Sequence, residues 1–197
     1  RPHKPLAVMF PAAGNDDLDT VRESLEPDED ETNLLCSPSR PIVLVAKKES
    51  SLSNLVAPDL SEIGAMLPYS PLHHLLLNNF GRPLIATSAN ISGEPVLTDE
   101  TDVEQRLSHI TETFLQHNRR IVRPADDSVF RQISGKLRPM RLGRGHVPIE
   151  INLPFTLEEP IIACGSQMKN TVALAWNNRL VISPHIGDLD SPRSMEV

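Results

Sequence analysis

No stretch of this sequence comes near the roughly 20 consecutive apolar residues that a membrane-crossing helix needs. The longest apolar clusters, Pro41–Ala46 and Ile161–Cys164, have the length of strands. Cysteine is scarce too. Cys36 and Cys164 lie far apart with no C-x-x-C spacing. Neither a zinc cage nor a disulfide framework is expected, and both residues read as reduced, buried thiols of a cytosolic protein. Positive charge is not in excess. The net charge of −7 argues against nonspecific binding to nucleic acid by the molecule as a whole. Internal repeats and low-complexity tracts are missing, and so are an initiator Met and a signal-peptide pattern. A chain that opens on RPHKPLAVMF and closes on SPRSMEV reads as a piece of something longer.

What is present suits a globular protein. The 197 residues are 39% hydrophobic and 23% charged. That is enough for one well-packed domain with a remainder, or for two small ones. The charge is uneven. Between Arg119 and His146 stand eight arginines and lysines against only Asp126 and Asp127. A basic region in an acidic chain suits a site for a particular anion, although scattered solvated arginines would give the same count.

Strands are expected at Leu6–Phe10, Pro41–Ala46, Ile63–Leu67 and Pro83–Thr87, with a weakly amphipathic helix over Asp16–Glu26 and an acidic break over Pro27–Thr32. The best-marked helix is Ser70–Phe80. Ser70 suits the N-cap, Pro71 the first helical position and Gly81 a left-handed C-terminal cap. Leu72, Leu75, Leu76 and Phe80 recur at helical spacing as its expected core face. A second helix is expected from Thr101, with Glu104 completing a capping box and Val103, Leu107 and Ile110 facing inward. Short strands follow at Phe114–Gln116, Arg120–Arg123, Ser128–Ile133 and Leu137–Leu142. Arg144–Phe155 reads as a linker. Ile161–Ala163, running on through Thr171–Trp176, and then Leu180–Ile182 complete the chain, with Asn177-Asn178 turning a hairpin. The alternation of strands and helices, followed by β structure, gives an α/β fold with a sheet of mixed direction.

Three constellations could carry chemistry. Thr87-Ser88-Ala89-Asn90-Ile91-Ser92-Gly93 directly follows a predicted strand. Short polar side chains and a glycine at a strand end can cradle a phosphate. From spacing alone a plain capped turn is the better explanation, because S-A-N-x-S-G is neither a Walker nor a Rossmann pattern. Asp126-Asp127-Ser128 could serve a phosphate-bound Mg²⁺, or simply begin a strand. The arginines of Leu137–Gly145 suit bidentate contact with phosphate, or a charged edge strand. His73-His74, on adjacent helical positions about 100° apart, is poor chelating geometry. The pair reads as ordinary helix residues, one of them at a pocket wall.

Taken in order, PLAVM after Arg-Pro, PIVLV, MLPYSPLHHLLL, TSANISGEP, DDSVFR and RGHVP resemble the YrdC-like domain of the HypF family of hydrogenase-maturation carbamoyltransferases. GSQMKNTVAL and SPHIGDLD are similar to the entry into that family's actin-like domain. Two positions depart from the family form: Ala89 stands where Gly is usual, and Pro184 where Gln is usual. The Lys of a K-x-R-P motif would fall just before Arg1. The resemblance implies a YrdC-like twisted mixed sheet flanked by helices over residues 1–148, a linker over 149–160, and an actin-like β-hairpin beginning at 161–197. It implies an enzyme that adenylates carbamate, derived from carbamoyl phosphate, with ATP and Mg²⁺. The carbamoyl group then passes to the C-terminal Cys of a HypE-type acceptor. Zinc is expected only in modules outside this chain. By matching positions Arg1, Ser88, Asn90, Ser128, Arg141 and Arg144 would surround the nucleotide phosphates, with Asp127 a Mg²⁺ or water ligand. Lys169, Asn170 and His185 match the second domain's carbamoyl phosphate region. The competing readings are a tRNA-modifying threonylcarbamoyl-adenylate synthase and a non-catalytic nucleotide- or double-stranded-RNA-binding module. The acidic charge and the SPHIGDL tail count against the former.

Overall fold

Pro41–Ala46 was expected as a buried strand, and the computed structural model places strand β2 at Ile42–Ala46. It describes residues 6–48, 52–91, 93–167, 170–186, 189 and 192–195. Val43 and Val45 are fully buried, in a cluster with Val8, Phe10, Leu18, Val21, Leu25 and Leu35. Each side chain of this size stabilises the fold by roughly 1.5–3 kcal/mol when taken out of water. That burial, not strand propensity, fixes the register of the sheet around it.

By contact the chain forms two compact units: Arg1–Thr87 with Asp127–Gly145, and Ser88–Asp126 with His146–Val197. The first holds a six-stranded mixed sheet. Its strands are β1 (Ala7–Met9), β2, β3 (Glu62–Met66), β4 (Leu84–Ala86), β5 (Val129–Ile133) and β6 (Lys136–Arg141), in the spatial order β4-β1-β3-β2-β5-β6. The pairs β1–β3 and β2–β5 are parallel, and the others antiparallel. Strand β6 lies at an edge, where its Pro139 is tolerated.

Helix α3 (Pro71–Phe80) forms as its caps dictate. The Ser70 hydroxyl accepts from the His73 N–H, and Gly81 is left-handed at φ 70°. Its buried face differs from expectation. Leu77 is buried, whereas Leu75, Leu76 and Phe80 are exposed at 61%, 41% and 48%. The apolar face is too broad for one packing surface, and only one edge of it meets the sheet.

Other departures have local causes. The expected helix over 16–26 shrinks to α1 (Asp19–Arg22). Asp17 takes a positive φ of 66°, and the Asp16 carboxylate accepts from Leu18 N–H and from Arg22. Such side-chain bonds offer the backbone an alternative to the helix. The supposed acidic break instead begins helix α2 (Glu29–Cys36). Asp28 caps the Glu31 N–H at 2.8 Å while the Glu31 carboxylate accepts from the Asp28 N–H at 3.0 Å. Acids in a first turn complement the helix dipole, so the charges that read as a break favour a start.

The second unit contains helix α4 (Glu100–Leu107) and a four-stranded antiparallel sheet of β7 (Ile149–Asn152), β8 (Ile161–Cys164), β9 (Val172–Trp176) and β10 (Arg179–Ile182), ordered β7-β10-β9-β8. Asp99, not Thr101, caps α4, and Leu107 is buried while Ile110 lies past the helix and exposed. The stretch read as a linker supplies β7, which pairs with β10. The stretch 161–176, read as one run, is two strands paired antiparallel, and Cys164, expected to be buried, is exposed on β8 while Cys36 is half-buried. The Asn177 hairpin forms, with Asn177 at φ 51°. No strand forms at 114–116 or 120–123. Leu115, Ile121 and Val122 there stay exposed, and an isolated apolar run without burial does not hold a strand.

Candidate functional site

In the first unit, Asp127 and Ser128 precede β5 and the turn Gly143–Gly145 follows β6, so the β5–β6 pairing brings them together. Ser128 is completely buried. Its hydroxyl accepts from the Gly143 N–H at 2.9 Å and donates to the Arg144 carbonyl at 3.1 Å. The Arg141 Nε donates to the Asp127 carbonyl at 2.9 Å.

Arg144 was expected among the residues around the nucleotide phosphates, and its side chain is only 23% exposed. Its Nε donates to Asp127 Oδ1 at 2.9 Å, Nη1 to the Ser39 carbonyl at 2.8 Å and Nη2 to the Arg40 carbonyl at 2.8 Å. The guanidinium lies 3.5 Å from the centroid of the Tyr69 ring. A planar fork of donors stacked on an aromatic face is a task that only arginine performs. Every nitrogen of the group already serves the protein. Losing this side chain would therefore cost the fold these three bonds. Behind the turn, Gly145 has φ +83°, and a Cβ there would stand 2.8 Å from Ser39 Cβ.

Tyr69, the sole tyrosine of the chain, was not singled out from the sequence. Its ring also meets the His73 ring edge-on, with centroids 4.5 Å apart. Burial pushes the Tyr69 hydroxyl up from its ordinary value, helped by the nearby Asp127 charge. Burial pushes the His73 imidazole down, and its Nδ1 is buried without a hydrogen-bond partner among the described residues. His74 instead borders a groove of about 510 Å³ along α3, with Pro11, Pro71 and Leu77. A single Tyr just before a Ser-Pro helix start was the available signal. Its partners Ser39 and Arg40 contribute only main-chain carbonyls, which no sequence pattern marks.

In the second unit the Ser88–Glu94 loop closes on itself. Ser88 Oγ donates to Asn90 Oδ1 at 2.5 Å, and Asn90 Nδ2 donates to the Ile91 and Glu94 carbonyls, each at 2.9 Å. Arg106 holds Glu94 at 2.5 Å. Ser88 stays exposed and Gly93 sits at φ 89° with open space where a Cβ would be. The loop thus offers a hydroxyl and an open backbone at a strand end, the chemistry of an anion cradle.

Asn170 is buried, with its Oδ1 unpartnered among the described residues, and the Gly165 backbone lies close against it. The Asn170 carbonyl accepts from the Ile186 N–H at 2.9 Å. His185 Nε2 lies 2.8 Å from Asp126 Oδ2. Arg1, Ser92 and Lys169 lie outside the described residues.

Comparison with known proteins matches the Sua5–YciO–YrdC family model, described as telomere recombination, to residues 1–143, and a HypF Kae1-like domain model to residues 156–197. A Synechocystis protein named carbamoyltransferase HypF is 44% identical over 97% of this chain. The match takes in 24% of that relative, so this chain spans about a quarter of its length. A crystal structure of full-length HypF in a phosphate- and nucleotide-bound form superposes with a TM-score of 0.91, at 38% identity, over 100% of this chain and 30% of that one. Pyrococcus abyssi Sua5 complexed with L-threonine shares the fold alone, at 19% identity and a TM-score of 0.59 over 73% of this chain and 41% of that one.

Proposed function

The chain belongs to the Sua5–YciO–YrdC family, and from that premise we propose that it is the nucleotide-handling part of a HypF-type carbamoyltransferase. The observation that carries the proposal is the superposition, over the whole chain, on a HypF that holds nucleotide and phosphate. The relatives with matches over nearly the whole chain are named carbamoyltransferases, which supports a transferase. Residues 1–148 would form the YrdC-like domain, and 161–197 the start of the actin-like one. In the proposed step a carbamate oxygen attacks the α-phosphorus of ATP, the bond to the bridging oxygen breaks and pyrophosphate leaves. The carbamoyl group then passes to the C-terminal Cys thiol of a HypE-type acceptor, and AMP is released. The actin-like part would produce the carbamate from carbamoyl phosphate, with Lys169, Asn170 and His185 in that region. Such a displacement asks for alignment and charge stabilisation more than for a covalent nucleophile.

Within this reading Ser88, Asn90 and the open backbone of the 88–94 loop contact phosphate, with Arg1 and Arg141 supplying charge. Ser128 and Arg144 hold the 143–145 turn in place. An ATP-borne Mg²⁺ is held mainly by phosphates and water and asks for one or two carboxylates. Asp127 fits that role in part, because Arg144 already occupies its Oδ1. The test is ATP–pyrophosphate exchange, with ammonium carbamate in one arm and threonine plus bicarbonate in the other. Exchange with carbamate is expected. Exchange with threonine alone would make the chain a tRNA-modification enzyme, and binding without exchange a nucleotide-binding module.

A further inference from the structure

The 88–94 loop has acidic surroundings for a loop that would hold an anion. Between Arg82 and Arg119 the only arginine or lysine is Arg106, against Glu94, Asp99, Glu100, Asp102, Glu104 and Glu112. That single cation is committed to the loop itself. Arg106, on α4, donates through Nη2 to Glu94 Oε2 at 2.5 Å, with the two side chains 27% and 21% exposed. Its Nε is buried without a hydrogen-bond partner among the described residues. A buried donor left unpaired is costly, so the arrangement gives up one hydrogen bond to keep Glu94 in place.

Glu94 is tied to the loop by its backbone. Its carbonyl accepts from Asn90 Nδ2 at 2.9 Å, and its N–H donates to the Ile91 carbonyl at 3.0 Å. Farther on, the Leu97 N–H donates to the Ala89 carbonyl at 3.0 Å, and the Leu97 and Leu107 side chains are buried. Loop and helix α4 fall in the same compact unit. The Glu94 carboxylate lies one side-chain length from the carbonyl that Asn90 uses. That is inside the Debye length of about 8 Å at physiological salt, so salt alone does not hide it from an anion on the loop. A free carboxylate at that place repels phosphate, whereas one paired with a guanidinium presents little net charge.

We propose that Arg106 is a positioning residue of the nucleotide site, acting through Glu94: it fixes and neutralises the one carboxylate built into the phosphate-binding loop. The inference rests on the nucleotide reading above.

The test is calorimetric titration of ATP into the unaltered chain, Arg106→Met, Arg106→Lys, Glu94→Gln and the double variant Glu94→Gln/Arg106→Met, with thermal unfolding followed in parallel. Arg106→Met keeps the apolar stem and frees the carboxylate, and is expected to raise the Kd about five- to tenfold. Arg106→Lys keeps a cation beside Glu94 and is expected to recover most of the affinity. Glu94→Gln removes the charge, keeps the carbonyl that Asn90 uses, and is expected to bind ATP tighter than the unaltered chain. In that background the loss of Arg106 is expected to change the Kd by less than about twofold, because residues coupled through one contact show non-additive effects. If Arg106→Met fails to fold, Arg106→Gln, equally uncharged, takes its place in both backgrounds. A pair of structural use alone would lower the unfolding midpoint and leave the Kd unchanged, which overturns the inference. An equal rise in both backgrounds also overturns it, since Arg106 would then act on ATP without Glu94. Weaker binding by Glu94→Gln does the same. No binding by the unaltered chain overturns the nucleotide reading and this inference together.

Discussion

Strands β2 and β8 carry nearly the same kind of sequence, PIVLVA and PIIAC, yet end in opposite surroundings. In β2 the residues Val43 and Val45 are fully buried, whereas all four residues of β8 are exposed, Ile162 at 68%. Its partner Leu174 on β9 is exposed at 45%, and Ile151 on β7, at the other edge of the sheet, at 42%. The first sheet is covered by α2 and the loops that carry Phe10, Leu18 and Leu25. Among the described residues nothing equivalent covers the second. An apolar run states what a strand would bury, and only the fold decides whether anything is there to bury it. Stability in this molecule should therefore reside in the first sheet.

The most direct way to break that comparison is a pair of truncations. Phe10→Ala removes a completely buried ring and should cost about 3–5 kcal/mol, enough to unfold a marginal domain. Ile162→Ala should change stability by no more than about 0.5 kcal/mol, as exposed substitutions do. Urea unfolding of both variants, followed by circular dichroism, reads the contrast. Equal losses would mean that the second sheet is as well packed as the first.

A smaller effect is expected at Arg144. Arg144→Ala leaves the Asp127 carboxylate and the Ser39 and Arg40 carbonyls without their donor. It should destabilise by about 2–3 kcal/mol, in the range for hydrogen bonds to charged groups. Arg144→Lys keeps the charge but cannot reach three acceptors while stacking on Tyr69, so it should recover less than half of the loss. Thermal unfolding midpoints decide. A lysine variant as stable as the unaltered protein would show that charge alone matters there.

Glu31 should give the smallest effect, and one of the opposite sign. Burial raises its pKa above the ordinary carboxylate value, against the opposing pull of the Asp28 N–H. The folded state therefore binds the proton more tightly than the unfolded chain. The stabilising contribution is complete below the unfolded pKa and is lost as pH rises through the folded one. Glu31→Gln keeps an acceptor for the capping box and removes the charge. It should be neutral to slightly stabilising at pH 7, with the difference vanishing toward pH 4. Denaturation midpoints at the two pH values test this, and a variant less stable at pH 7 than at pH 4, relative to the unaltered protein, would contradict it.

These cases mark how far the sequence could be read. Helix α3 was legible at both ends because its signals, Ser70, Pro71 and Gly81, act on neighbouring backbone. Its buried face was not, because the choice of Leu77 over Leu76 is made by distant strands. Helix α2 was concealed by its own acids, whose helix-starting effect depends on the reciprocal Asp28–Glu31 bonds. At the candidate site, the residue types were legible and their roles were not. Arg144 looked like a ligand for phosphate, and its hold on Ser39 and Arg40, more than 100 residues earlier, leaves no pattern to read. Asn90 was legible as a loop residue beside a glycine, but its bonds to Ile91 and Glu94 show a residue that also shapes the loop.

Gly145 carries a consequence for how this protein can vary. Its φ of +83° disfavours any side chain, and Ser39 occupies the space that one would need. Two independent obstacles at one position mean that a substitution there cannot be absorbed by a rotamer change. A lineage that replaced Gly145 would have to rebuild the turn around Ser37–Arg40 in the same step, and with it the acceptors that Arg144 uses. Two short segments more than 100 residues apart in the chain are thus bound to change together or not at all. In a collection of related sequences, they should appear as one correlated block.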